Sequence, residues 1–466
     1  MITVAVYMLI MIAVGVYFRN RAKTIEDFYL SGRQLSCGVV MLTFAATWIG
    51  ASATLAKSGL AYKVGFSALS PTFATVFALL IFSFLSPRIR RIGANYGITS
   101  IPDLFHRRFG KLISLLASII ITVTLLGTVA TQMVATSNIF QVLFKPYGTL
   151  SYEVALVLSL VVVVGYTILA GFYAVVWTDV IQGLILLVII GVFLPLAALD
   201  MAGGWRHVGA SLPDDFFSLK PNMTLIGYSW VYLLYFLSGP PYWQRAFASK
   251  SERTARWGTV GGNVIIFLYS VGVTLIGVCA AVIYPVFPTG ISHEMLIPLM
   301  AHERFHPFIY ELVIVALMSV LMSTINSYLI LAAQTISNDV YKLVRPNATE
   351  QSRLRSSKWM IVFLGMTSLV FSLNIRIILE ALVFAYTFFS SAIAFPALGA
   401  LMWRRATKQG VLCSMVGGLV MALSWSYFGH PLGLHEAIPG GLMSLLVMII
   451  VSSITYDQNN PSPYFN

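Results

Sequence analysis

The chain has 466 residues, 58% of them hydrophobic and 10% charged, with a formal net charge of +12 and a mean hydropathy of +0.84. A soluble domain carries about 25% charged residues, so this composition excludes a soluble globular protein and points to an all-α polytopic membrane protein. The excess positive charge lies in short loops between apolar runs, not on a basic face with stacking aromatics, which argues for a lipid bilayer and against nucleic acid as the partner.

In chain order the apolar runs predict about thirteen transmembrane helices. They fall at 2–18, 37–62, 66–86, 112–142, 154–171, 177–199, 225–243, 257–284, 308–337, 359–375, 377–402, 411–429 and 436–455. Most exceed the roughly 17 residues that cross a hydrocarbon core. No positive segment precedes the first run and no small-residue cleavage site follows it, so it reads as an uncleaved helix. Arg19, Arg21 and Lys23 come directly after it, which places the N-terminus outside and, with thirteen spans, the C-terminus inside. On this topology 22 of the 29 Lys and Arg residues fall in inside loops, Arg245 among them. That asymmetry favours this orientation over its inverse.

The second run contains "TWIGASATLAKSGLAY" (47–62), which crowds Gly, Ser, Ala and Thr into a spanning segment and adds Lys57. The seventh contains "YLLYFLSGPPYWQR" (232–245), where Gly239, Pro240 and Pro241 interrupt the helix. Irregular backbone at membrane depth is tolerated only beside a cavity or inside protein. With the first helix set aside, these two runs open two successive groups of five. Matched broken helices of this kind point to an inverted-repeat secondary transporter with a midplane site. Small residues that only let helices pack closely are the plainer alternative.

Other features point elsewhere or nowhere. "HERFH" (His302–His306) matches the HExxH pattern of zinc proteases, but Pro307 follows at once and no third ligand motif is evident. The three cysteines, Cys37, Cys279 and Cys413, are too scattered for a disulfide framework or a metal site. A channel would show a repeated filter segment or a charged ring, and neither is visible. Asp179 in "WTDVIQ" is an acid near the inner end of a span, either a helix-end dipole partner or a functional group.

Six blocks in order carry a family resemblance: "DFYLSGRQL" (27–35), "GLAYKVG" (59–65), "GFYAVVWTDVIQG" (171–183), "YWQRAFASKSERTAR" (242–256), "LMSTINSYLILAAQTISNDVYK" (321–342) and "PALGALMWRRATKQG" (396–410). Together they resemble the sodium:solute symporters. The resemblance implies a leucine-transporter-like 5+5 inverted repeat with an extra N-terminal helix. The whole chain would be one transporter domain: 2–36 the extra helix and its loop, 37–199 and 225–402 the two five-helix repeats, 411–455 two additional helices, and 456–466 a polar tail. The implied activity is sodium-coupled uptake of a small solute across the cell membrane. Sodium would be the coupling ion, with no organic cofactor and no catalysis. A proton-coupled symporter of the same fold is the alternative, and a zinc protease through His302–His306 a distant one.

The resemblance also assigns residues. Sodium would be bound by the carbonyls of Ala46, Ile49 and Val320 and the hydroxyls of Ser323 and Thr324, a set of oxygens that suits a hard cation. Asp179 would lie on the ion's exit route. Gly50, Ser52, Ala53, Tyr235 and Phe236 would face the solute. Trp48, Ala53 and Thr128 replace the polar or basic residues of sugar-type and sialic-acid-type members, so a carboxylate or amino-acid-like solute is expected. Lys57, eight residues past Ile49 and so roughly 12 Å further along a helix, is expected to snorkel to the headgroups, or else to attract a carboxylate in the outer vestibule.

Overall fold

In the computed structural model, the residues described are 2–18, 24–144, 148, 150–341, 345, 347–375 and 377–457. Arg19, Arg21, Lys23, Lys145, Lys342 and Arg376 of the charge pattern, and tail residues 458–466, lie outside them. Among the described residues the regular secondary structure is helical, apart from one isolated β-bridge between Leu35 and Ser249.

The first half comprises α1 (Ile2–Phe18), α2 (Ile25–Leu30), α3 (Cys37–Trp48), α4 (Lys57–Val64), α5 (Ser70–Tyr96), α6 (Ile101–Phe109), α7 (Lys111–Phe144), α8 (Tyr152–Leu186), α9 (Leu194–Met201) and α10 (Gly204–Ser211). The second half comprises α11 (Met223–Ser238), α12 (Pro240–Ala248), α13 (Glu252–Ile283), α14 (Leu296–Arg304), α15 (Pro307–Gln334), α16 (Glu350–Ser372), α17 (Ile378–Ala392), α18 (Ala394–Met402), α19 (Lys408–Tyr427) and α20 (Ala437–Thr455). Among the described residues seven helices are long and apolar enough to span a membrane. The count becomes eight if α17 and α18, bent by 42° at Ile393, form one span. The expectation of thirteen is larger because several apolar runs are broken into pieces. Gly171 adopts φ +56° and divides α8, and the second run stops at Trp48 and resumes as a wide π turn over Ser52–Ala56.

Local sequence sets the helix ends. Ser100, Ser151, Asn222, Ser251, Thr349 and Thr407 each accept a backbone N–H from the first turn of the helix that follows. Such caps satisfy donors the helix cannot pair itself and contribute about 1 kcal/mol each. Thr24 and Asp27 form a reciprocal capping box at α2. The chain after α2 is then tied to the end of α12: Leu35 N donates to Ala248 O, and Lys250 N donates to Leu35 O, both at 3.1 Å.

In a membrane, helices gain little from apolar burial against each other and depend on close packing. Helix α13 meets this with glycines. A Cβ on Gly277 would come 2.3 Å from the Ser58 carbonyl, so only glycine lets α13 touch the backbone at the start of α4. Helix α15 sits at the centre, with 72% of its apolar window buried against 33% for α19 and α20. Large apolar side chains such as Phe77, Phe84, Ile119, Val161 and Phe363 project from the outer helices, as lipid contact requires. Helix α1 is peripheral, with Leu9 and Tyr17 exposed, and packs by its buried face on α8, where Gln182 Nε2 donates to Tyr7 Oη at 2.8 Å.

Candidate functional site

The helix α3 ends at a true break. Ile49 N still donates to Ala45 O at 2.9 Å, but Ile49 itself has ψ +93°. The ladder restarts with Thr54 N on Gly50 O at 3.2 Å. Between them, Ala51 N donates to the side-chain oxygen of Gln132 from α7 at 2.8 Å. The unwound stretch is therefore shorter than the run of small residues suggests, because Gln132 satisfies the freed donor at once. Gly50 keeps this spot uncrowded: a Cβ would meet Gln132 Nε2 and Thr324 Oγ1 at 3.1 Å, tight enough that those side chains would have to shift.

The break frees carbonyls, and α15 faces them. Ser323 Oγ lies 3.1 Å from Ala46 O and 3.0 Å from Val320 O. Thr324 Oγ1 lies 3.2 Å from Ile49 O and 3.1 Å from Val320 O. The five oxygens assigned from sequence thus converge in one buried place between α3 and α15. Each hydroxyl has one proton for two carbonyls, so each pair can reorient its hydroxyl lone pairs toward a shared cation. The set carries no formal charge, which suits a monovalent ion.

One turn along both helices lies a polar cluster. Asp179 Oδ2 accepts from Thr43 Oγ1 at 2.6 Å and from Arg245 Nη2 at 3.4 Å. The same Nη2 donates to Thr47 Oγ1 at 2.5 Å and to Ser327 Oγ at 2.7 Å. Thr43 and Thr47 share one face of α3, as Ser323 and Ser327 share one face of α15, because residues four apart lie on the same helix side. Both Asp179 and Arg245 have fully buried side chains. Arg245 therefore departs from its expected place in a loop: the chain resumes after Gly239 as α12, buried along its whole length, and its last turn holds the guanidinium over the Phe172 ring at 5.2 Å. A sequence cue was available, since Arg245 follows a Pro-Pro helix start by only four residues. Asp179 Oδ1 and Arg245 Nε have no partner among the described residues.

Beside the break is a cavity of about 500 Å³ including its open mouth, lined by Trp48, Ser52, Ala53, Lys57, Tyr232, Phe236 and Tyr386 among others. Of the residues expected to face the solute, Ser52, Ala53, Phe236 and Lys57 line it. Gly50 backs onto Gln132 instead. Tyr235 is fully buried, stacked on Tyr386 with ring centroids 3.5 Å apart, and its hydroxyl donates to Tyr328 Oη at 3.3 Å. Tyr228, Tyr232 and Tyr386 line the cavity but were not singled out, since isolated aromatics in an apolar run look like packing.

Lys57 does not snorkel. It is 8% exposed, its Nζ donates to Thr72 Oγ1 and lies 5.3 Å from the Trp48 ring centre. A cation that reaches Thr72 and an indole inside the protein has no reason to extend to a headgroup. Leu60, Tyr228 and Leu379 line both this cavity and a wider one of about 840 Å³ that contains Lys63, His293, Glu294 and Glu380. There Glu294 accepts the Ile378 and Leu379 N–H groups at the start of α17 at 3.1 and 3.2 Å. Burial pushes its carboxyl above the usual range, against the pull of those donors.

The zinc-protease pattern loses its geometry. Helix α14 ends at Arg304, and His306 caps α15 instead of continuing with His302 on one helix face. No group of three or more His, Cys, Asp or Glu that could hold a metal occurs among the described residues.

Comparison with known proteins places this geometry in context. Residues 28–418 match the model of the sodium:solute symporter family. The osmoregulated proline transporter OpuE of Bacillus subtilis is 28% identical, over 97% of this chain and 94% of its own. A sodium/proline symporter of Staphylococcus aureus is 26% identical, over 97% and 92%. Among solved structures, a Na+-coupled sialic acid symporter in a substrate-bound outward-open state aligns over 100% of this chain and 98% of its own, with a TM-score of 0.83 at 19% identity. MhsT in complex with L-phenylalanine aligns over 90% and 98%, with a TM-score of 0.58 at 12% identity. At these identities the structures speak for the fold alone.

Proposed function

The chain belongs to the sodium:solute symporter family, and on that premise we propose that sodium bound by Ala46, Ile49, Val320, Ser323 and Thr324 drives uptake of a small organic solute by alternating access. The observation that carries this reading is the convergence of three carbonyls and two hydroxyls across the break in α3. Sodium bridges α3 to α15, and an oxygen cage without a titratable group favours a metal cation over a proton as coupling ion. The bridge stabilises the outward-facing state and shapes the wall of the neighbouring cavity. Solute binds among Ser52, Ala53 and Phe236, with Tyr235 supporting Tyr386 from behind.

The cavity shared with Glu294 and Glu380 faces outside, and the Asp179–Arg245 cluster closes the inner side. Sodium leaving inward passes Asp179, whose unpaired Oδ1 offers a stepping point. We read the breaks at Ile49–Gly50 and at Gly239 as the matching first helices of a 5+5 inverted repeat within thirteen spans. The N-terminus is outside and the C-terminus cytoplasmic, in the cell membrane. The proline transporters among the relatives and the aromatic lining support a carboxylate or amino-acid-like solute over a sugar.

The test is uptake into proteoliposomes containing the purified chain, with labelled carboxylates, amino acids and sugars, under an imposed sodium or proton gradient. A sodium gradient is expected to concentrate a carboxyl-bearing solute, and an inside-negative potential to add about 2.3 kcal/mol per 100 mV for each net positive charge the cycle carries inward. Uptake driven by protons and indifferent to sodium would overturn the coupling assignment.

A further inference from the structure

Resting on that symport reading, we propose that the transported solute is a net-anionic monocarboxylate and that Lys57 is its counter-charge.

Three observations converge on one cavity wall. First, the Lys57 ammonium has three donors and hydrogen-bonds Thr72 among the described residues. Second, Trp48, 7% exposed and lining the same cavity, has an indole N–H with no acceptor among the described residues. Third, no Asp or Glu among the described residues lines this cavity; Glu294 and Glu380 line the wider chamber beyond it. A buried cation without a carboxylate partner is costly, and a carboxylate arriving from outside supplies the missing acceptor for both donors.

The rest of the wall restricts the body of that solute. Tyr232, Phe236, Tyr386 and the Trp48 ring surround the space below Lys57, with Trp48 and Phe236 ring centres 6.1 Å apart. These surfaces take a short apolar or weakly polar tail. A zwitterion would bring a second ammonium into a cavity that already holds one and offers it only hydroxyls and ring faces. A dicarboxylate would bring a second anion with no second cation. One negative charge on a small apolar body is the solute the cavity balances.

The test uses proteoliposomes and three labelled probes: propionate, pyruvate and L-proline. The expected result is sodium-driven uptake of propionate or pyruvate, each competing with the other and neither displaced by excess proline. Lys57→Met should raise the KM for the carboxylate by about 10- to 100-fold, the range of a lost charge-assisted hydrogen bond. Its sodium-dependent thermal stabilisation should stay within about twofold of the parent's midpoint, showing a folded protein. Lys57→Arg, which keeps the charge, should recover most of the loss. Sodium-driven uptake of proline without any carboxylate uptake would overturn the solute assignment while leaving sodium coupling in place. Carboxylate uptake unchanged in Lys57→Met would equally overturn the role of Lys57. Carboxylate uptake that depends on Lys57 but ignores sodium would keep this inference and overturn the coupling reading instead.

Discussion

At the scale of single residues, the site is built from groups that each solve a local shortage. Gln132 pairs the donor freed at Ala51; Ser323 and Thr324 reach the carbonyls freed at Ala46 and Ile49; Arg245 and Asp179 neutralise each other where neither could stand alone. Removing one member of a buried ion pair leaves an uncompensated charge and costs about 3–5 kcal/mol. Arg245→Met is therefore expected to lower the melting temperature of the purified protein sharply, and the double variant Arg245→Met/Asp179→Leu to recover much of it. An Arg245→Met protein as stable as its parent would show that the guanidinium is not held by Asp179. Of these residues the adjacent Ser323–Thr324 pair was legible only through the family resemblance, because neighbouring hydroxyls are common in apolar helices and usually bond their own helix carbonyls. Arg245 was hidden among loop cations, since charge counting takes no account of a short helix buried after a break. The depth of Lys57 was equally hidden, because Thr72 and the Trp48 ring reach it only through tertiary packing.

At the scale of elements, the breaks matter more than the helices. Glycine and proline marked both interruptions, and the structure puts them at Ile49–Gly50 and at Gly239. The extent of unwinding was not legible: helical geometry resumes at Ala51 and passes into a π turn over Ser52–Ala56, because a side chain from α7 caps the gap. The two segments before and after Gly171 were expected as separate spans, and the positive φ at that glycine is the physical reason the axis divides. Gly50 is where break and site meet. Gly50→Ala would press a methyl group against Gln132 and Thr324 Oγ1, an overpacking cost of about 1–3 kcal/mol. The sodium half-saturation of transport is expected to rise at least about fivefold; an unchanged value would mean that the α3–α15 spacing at Gly50 does not govern ion binding.

At the scale of the molecule, composition and charge established a helical membrane protein, and the family match agrees with the ordered blocks of resemblance. Length and composition alone identify seven or eight spanning helices, since a helix interrupted for function loses the unbroken apolar length by which spans are recognised. The account joins one cage, one cavity and one closing cluster along α3 and α15. Its central claim is that sodium ties these two helices together through Ser323 and Thr324. The most direct measurement is the thermal stability of the purified protein as sodium replaces potassium at constant ionic strength. A ligand at 100 times its Kd stabilises by about 2.7 kcal/mol, so the parent should melt higher with saturating sodium, and Ser323→Ala/Thr324→Ala should lose that gain, melting at the same temperature in sodium as in potassium. A double variant still stabilised by sodium to the parent's extent would contradict the account.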